Sequence, residues 1–186
     1  MPVESVSTEA LGLATGRVHE AQGGGRRSFA LFQAVRNTGP LIWVLSAHAP
    51  HLPMLRGLPE GVGHRLHIVR AKTETDLLWA IEESLRSSPV GLVIAEPEKP
   101  LSLTAGRRLQ LAAEAGKTTG LMLIREGQGS NAAETRWKCA PLPSGTRDST
   151  PHCWEIIKNK RGTNRTWTVH WNGATAAFNL VSETGE

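Results

Sequence analysis

A chain of 186 residues with 39% apolar content and a net charge of +4 has enough material for one domain with a real core and is short for two. No apolar run approaches the roughly 20 residues that a membrane helix needs. The two cysteines, Cys139 and Cys153, are too few for a disulfide scaffold and lack the paired spacing of a structural zinc site, so they are expected to be small reduced core residues. The polar stretch Met1 to Glu9 reads as neither a secretory signal nor a transit peptide, and a soluble cytoplasmic protein is the expectation.

The first informative segment is His19-Glu20-Ala21-Gln22-Gly23-Gly24-Gly25-Arg26-Arg27-Ser28-Phe29, between a predicted strand and a predicted helix. A phosphate loop reads G-x-x-x-x-G-K-[ST]: glycines let backbone N–H groups wrap the phosphates, lysine reaches the terminal ones and a hydroxyl binds Mg²⁺. With Ser28 as the hydroxyl, Ala21 and Arg26 fall on the glycine positions and Arg27 on the lysine. Gly23 to Gly25 make a flexible turn at offsets unsuited to cradling a phosphate. The segment is either a degenerate phosphate loop, with Arg27 and Ser28 as its vestige, or an ordinary glycine-rich turn.

The helix over Ser28 to Asn37 is closed by Asn37-Thr38-Gly39-Pro40. Leu41 to Leu45, Leu66 to Val69, Val90 to Ala95 and Leu121 to Ile124 are apolar runs suited to strands buried on both faces of a parallel sheet. Between them, Thr73 with Asp76 caps a helix carrying Leu77, Ile81 and Leu85 on one face, and Thr104 caps another running to Gly116. The literal Gly116-Lys117-Thr118 follows a helix and precedes a strand, the reverse of a phosphate loop, and Gly116 reads as a helix C-cap. Alternating elements of this kind predict an α/β fold with a mainly parallel central sheet. His48-x-x-His51 is interrupted by Pro50, and His64-x-x-His67 straddles a strand, so no metal site is expected.

After Gly127 the pattern changes to strands over Thr135–Ala140, Cys153–Lys160, Thr166–Trp171 and Ala176–Val181, separated by turn residues. Trp167, Val169 and Trp171 share one strand face and are assigned to the core. From Arg136 to Trp171, seven basic residues stand against two acidic ones. That excess is either an electrostatic footprint for nucleic acid or an acidic partner, led by Lys158, Lys160, Arg161 and Arg165, or a solvated face. Hydrolytic chemistry is missing: no Asp or Glu lies between Ala21 and Pro59, so the turn Ser46-Ala47-His48-Ala49 offers no base. Glu96, at the end of Leu92 to Ala95, either imitates a Mg²⁺-coordinating acid or is that strand's first solvated residue.

Thr104-Ala105-Gly106-Arg107-Arg108-Leu109-Gln110-Leu111-Ala112-Ala113-Glu114-Ala115-Gly116, preceded by Leu78 to Arg86 and followed by Thr135-Arg136-Trp137, resembles the ImuA family, RecA-related accessory proteins of bacterial SOS mutagenesis. The resemblance covers roughly residues 16–181, and Arg107 to Leu111 is its most specific part. More distantly, Arg17 to Glu20 resembles the RecA strand entering its phosphate loop, and Ala47-His48-Ala49 its second-strand turn without the catalytic glutamate. Glu155 to Lys160 resembles a late RecA strand whose lysines approach nucleotide across a filament interface.

The resemblance implies a RecA-like core over 16–181, with an N-terminal extension over 1–15 and a tail over 182–186. It implies no enzyme activity and no cofactor, with Lys158 and Lys160 as candidate subunit or RecA contacts. The implied partners are an ImuB-type polymerase-like scaffold, RecA, and indirectly an error-prone replicative-type DNA polymerase, with weak DNA contact as a further expectation and no membrane. Two alternatives accompany it: a SulA-like cell-division inhibitor, decided by binding to the division protein FtsZ, and a weak ATP-binding, DNA-binding RecA paralogue.

Overall fold

The computed structural model describes residues 8–53, 58–145, 147, 149–172 and 177–185. After a 3₁₀ turn at Thr8–Leu11, the elements are β1 (Val18–Gln22), α1 (Arg26–Arg36), β2 (Leu41–Ser46), α2 (Val62–Arg65), β3 (Leu66–Ala71), α3 (Glu74–Arg86), β4 (Leu92–Ala95) and α4 (Leu103–Gly116). Five further strands follow: β5 (Thr119–Leu123), β6 (Thr135–Pro141), β7 (Ser149–Asn159), β8 (Arg165–Asn172) and β9 (Ala177–Gly185).

Among the described residues, the nine strands join one sheet in the order β3-β2-β4-β5-β1-β6-β7-β8-β9. The neighbours from β3 through β6 pair in parallel, and β6 through β9 pair antiparallel. The fold is therefore α/β, with a mainly parallel central sheet flanked by helices and antiparallel strands after it, consistent with a RecA-like core.

Period-two alternation sorts the strand side chains onto two cores. Leu41, Trp43 and Leu45 of β2 face α1 and the first core, which also holds Phe29, Trp137, Trp154, Trp167 and Val169. Val44, Val93 and Met122 face α3 and α4, packed with Leu77, Ile81, Leu85 and Leu109. The tryptophans form a ring cluster: Phe29 lies 4.8 Å from Trp137 and 5.1 Å from Trp154, and Trp137 lies 5.3 Å from Trp167, centroid to centroid. Trp167 and Val169 are buried as expected, whereas Trp171 is half-buried against Phe178. Cys139 is buried and Cys153 half-buried, both as free thiols, and burial pushes the Cys139 thiol well up.

Several boundaries differ from expectation. Residues 8–15, placed in an N-terminal extension, belong to the packed domain: Leu11 is fully buried in the first core and its carbonyl accepts from Gln33 Nε2 at 2.7 Å. At the other end, β9 runs to Gly185, so 182–185 pair with β8 instead of forming a tail, while Glu186 and Ala176 lie outside the described residues. Strand β7 begins at Ser149, four residues before the predicted Cys153. Pro151 donates no ladder bond there, yet its carbonyl accepts from Leu142 N at 2.8 Å.

The cap of α3 is as read, with Thr73 Oγ1 accepting from Asp76 N at 3.1 Å. That of α4 is Ser102, not Thr104, because the Ser102 hydroxyl accepts from Ala105 N at 3.1 Å. Its C-cap is Lys117, at φ 55°, in the left-handed conformation assigned to Gly116. Gly116 answers instead to close approach: a Cβ there would lie 2.8 Å from the Arg86 carbonyl carbon, where the end of α3 meets α4.

His19 and Glu20 of β1 are buried polar residues with full sets of partners. His19 Nδ1 is 2.7 Å from Thr135 Oγ1 and Nε2 is 3.1 Å from the Ala14 carbonyl. Trp137 Nε1 donates to the same Thr135 hydroxyl at 2.9 Å. A neutral ring donating from Nε2 and accepting at Nδ1 satisfies this arrangement. Burial holds the imidazole pKa at about 4, against smaller opposing effects from the Ala14 carbonyl and Glu134.

The folded state thus binds fewer protons than the unfolded one between pH 6.5 and 4. His19's contribution is complete above pH 6.5 and is lost as the pH falls through that window, by roughly 3 kcal/mol in all. Urea unfolding at pH 7 and pH 4.5 should show this acid sensitivity, and His19→Gln should flatten the dependence. Equal slopes for both chains would contradict it.

Candidate functional site

In parallel α/β sheets, ligands sit in the crevice beyond the carboxyl ends of the strands. Here that crevice is a cavity of about 420 Å³, lined among others by Arg26, Arg27, Ser46, His51, Glu96 and Arg125. The β1–α1 turn forms one wall through Gly24, Arg26 and Arg27, while the amide of Gly25 is directed at β6. Gly25 N donates to the Cys139 carbonyl of β6 at 2.8 Å, and Gly23 sits at φ 92° where a Cβ would overlap that same carbonyl oxygen. Gly23 and Gly25 are explained by this approach to β6, whereas a Cβ at Gly24 would meet only Pro141. An amide that could face a phosphate is consumed within the sheet.

The two residues singled out as the vestige of a phosphate loop point into different places. Arg27 enters the crevice and grips Glu96 with two hydrogen bonds, Nε to Oε1 at 3.1 Å and Nη2 to Oε2 at 3.0 Å, while Nη2 also donates to the His51 carbonyl at 3.1 Å. Trp43 Nε1 donates to Glu96 Oε1 at 2.9 Å. Glu96, weighed as a metal-coordinating acid or a solvated strand end, is instead locked between an arginine and an indole. Ser28 lines a separate cavity of about 230 Å³ with Leu31, Thr150, His152, Trp171 and Phe178. The structure does not bring Arg27 and Ser28 together on one ligand position.

The basic candidates of the C-terminal strands have internal work. The chain from β5 returns across the sheet to β6, and its segment 130–134 is held from below by β1 and from the side by β7. Ser130 N donates to Glu20 Oε1 at 2.7 Å, and Arg136 bridges Glu20 Oε2 at 2.8 Å and the Ser130 carbonyl at 2.9 Å. Lys158 Nζ donates to the carbonyls of Ser130, Asn131 and Ala133 at 3.2, 2.9 and 2.9 Å, and Lys160 Nζ to that of Ala132 at 2.7 Å. Burial, with repulsion from Lys160 and Arg136, lowers the Lys158 pKa.

Arg161 Nε lies 2.9 Å from the buried carboxylate of Glu134, a charge contact without the alignment of a hydrogen bond. Arg165, the fourth candidate, opens β8 and is exposed. Neither the clamp on 130–134 nor the Arg27–Glu96–Trp43 lock was visible in the sequence. Their elements are up to 116 residues apart, and the acceptors of both lysines are main-chain carbonyls, which carry no letter of their own.

Lys158→Ala removes three charge-assisted bonds, and the Ser130 carbonyl keeps Arg136 as a donor while those of Asn131 and Ala133 lose theirs. The expected loss is about 2 kcal/mol, read as a lower urea midpoint together with faster amide exchange at 130–134. An unchanged midpoint would return Lys158 to the solvent-facing role first considered.

No known family model matches the chain. It is similar to Protein ImuA of Caulobacter vibrioides, in strain NA1000 / CB15N and in strain ATCC 19089 / CIP 103742 / CB 15, with 37% identity over 121 residues in each case. The match covers 59% of this chain and 49% of each relative, so the chain spans about half the length of the curated relatives it matches. This similarity supports membership in the ImuA family. No helix among the described residues is long and apolar enough to cross a membrane.

Proposed function

We propose that this chain, as a member of the ImuA family, is a non-catalytic RecA-like accessory protein of SOS-induced translesion DNA synthesis. It acts through protein contacts with an ImuB-type polymerase-like scaffold and with RecA, and through them serves an error-prone polymerase assembly. The observation that carries the non-catalytic part is the Gly25 N–H bond to the Cys139 carbonyl. Nucleotide hydrolysis on this architecture needs backbone donors and a lysine on the phosphates and an acid on Mg²⁺. Here the Gly25 amide is spent on β6, an arginine stands at the lysine position, and Glu96, the acid at the end of β4, is occupied by Arg27 and Trp43.

The family resemblance carries the pathway and the partners. The test combines two measurements on the purified full chain. Co-purification from DNA-damaged cells should recover the ImuB-type scaffold or RecA, and millimolar ATP with Mg²⁺ should neither be hydrolysed nor raise the melting midpoint, since a bound ligand stabilises by RT ln(1 + [L]/Kd). Recovery of FtsZ in place of both partners would favour the cell-division reading. ATP-dependent stabilisation abolished by Arg27→Ala would favour the nucleotide-binding one.

A further inference from the structure

Helix α4 presents Leu103, Arg107 and Leu111 at spacings of four, which aligns them along one side of the helix. The two leucines are 47% and 65% exposed, large values for apolar side chains flanking one cavity. With Asn131, Ala132 and Lys160 they border a groove of about 570 Å³ between α4 and the return segment 130–134. The far wall is firm, because the lysine and arginine clamp fixes the backbone of 130–134 on this side of the sheet. Among the described residues, the groove lining contains two cations and no carboxylate. Lys160 is committed to the Ala132 carbonyl, whereas Arg107 has no hydrogen-bond or ion-pair partner among the described residues.

We propose that this groove docks an acidic, apolar-anchored segment of a partner protein. A carboxylate of the partner meets Arg107, and apolar side chains on either side of it cover Leu103 and Leu111, which stand about 12 Å apart along the helix at 1.5 Å rise per residue. An uncompensated guanidinium is matched best by a carboxylate, which it binds in a bidentate fork. The flanking leucines separate this surface from a nucleic-acid track, because phosphodiester contacts leave apolar side chains in water while a protein segment removes them from it. The inference rests on the adaptor reading above and gives it a surface and a partner chemistry.

The test measures binding of purified ImuB-type scaffold and of purified RecA to the full chain, to Arg107→Glu, to Leu111→Asp and to the control Val35→Asp. Val35 is 46% exposed on α1, which packs on the opposite face of the sheet. Circular dichroism and melting midpoints confirm that each variant is folded. The expected result is at least a tenfold weaker Kd for both α4 variants with one partner, a weakening of wild-type binding as salt rises, and little change for Val35→Asp. If the partner binds wild type and both α4 variants alike, or if Val35→Asp is weakened equally, the docking site is wrong and the adaptor reading stands. If wild type binds neither protein, the adaptor reading falls and the docking proposal falls with it.

Discussion

Glu20→Ala is expected to lower the unfolding free energy by about 3–5 kcal/mol, the usual cost of breaking a buried ion pair from one side. Glu20 is only 1% exposed, and its carboxylate accepts from Arg136 Nε and from the Ser130 amide, so its removal leaves a largely buried guanidinium without its counter-charge and a buried N–H without its acceptor. The loss combines local and global effects, since the same carboxylate anchors β6 and the return segment to β1. Urea unfolding at pH 7 measures it. Replacing both partners by apolar residues, as in Glu20→Met with Arg136→Met, should recover much of the stability, because the penalty lies in the unpaired charge more than in the lost attraction. A single-variant loss below about 1 kcal/mol would show that the pair is solvated in a way its burial does not suggest.

Gly23→Val is expected to cost roughly 3–5 kcal/mol, combining a left-handed backbone penalty with steric overlap. At φ 92° a side chain is strained whatever the space around it, and a Cβ at Gly23 would overlap the Cys139 carbonyl oxygen, a main-chain atom of a central strand that cannot swing aside. Gly24→Val is the matched control: its Cβ would meet only Pro141, with Cδ at 3.5 Å, ordinary contact. The urea midpoint should therefore fall sharply for the first variant and little for the second. Equal midpoints would mean that the glycine run is a flexible linker after all and not a junction shaped by β6.

The elements legible in the sequence are those whose cause is local. The apolar runs Leu41 to Leu45 and Leu121 to Ile124 announce buried parallel strands, and Thr73 with Asp76 announces the start of α3, because both signals lie within a few residues of what they specify. Where two local signals compete, the structure chooses on geometry: Ser102 and Thr104 are both favourable cap types, and the position of the Ala105 amide against the Ser102 hydroxyl decides between them. Gly116 and Lys117 exchange roles for a tertiary reason, since the end of α3 leaves no room for a Cβ at Gly116 and the solvent-facing Lys117 absorbs the left-handed turn.

At the candidate site, the sequence exposes the absence of a lysine and of an acid on the second-strand turn but not what fills their places. The Arg27 grip on Glu96 joins a helix to a strand end 69 residues away. The lysines at 158 and 160 read as free charge because their acceptors are backbone oxygens.

The bond from the Gly25 amide to the Cys139 carbonyl also bears on any attempt to engineer ATP binding into this protein. Three substitutions, Ala21→Gly, Arg26→Gly and Arg27→Lys, would write the full G-x-x-x-x-G-K-S pattern across residues 21 to 28. The rewritten loop would still be stitched to β6, and the introduced lysine would be drawn to the Glu96 carboxylate before it met a phosphate. Redesign would have to begin on β6 and move that carbonyl away, because the obstacle is a strand's position and not a missing letter in the loop.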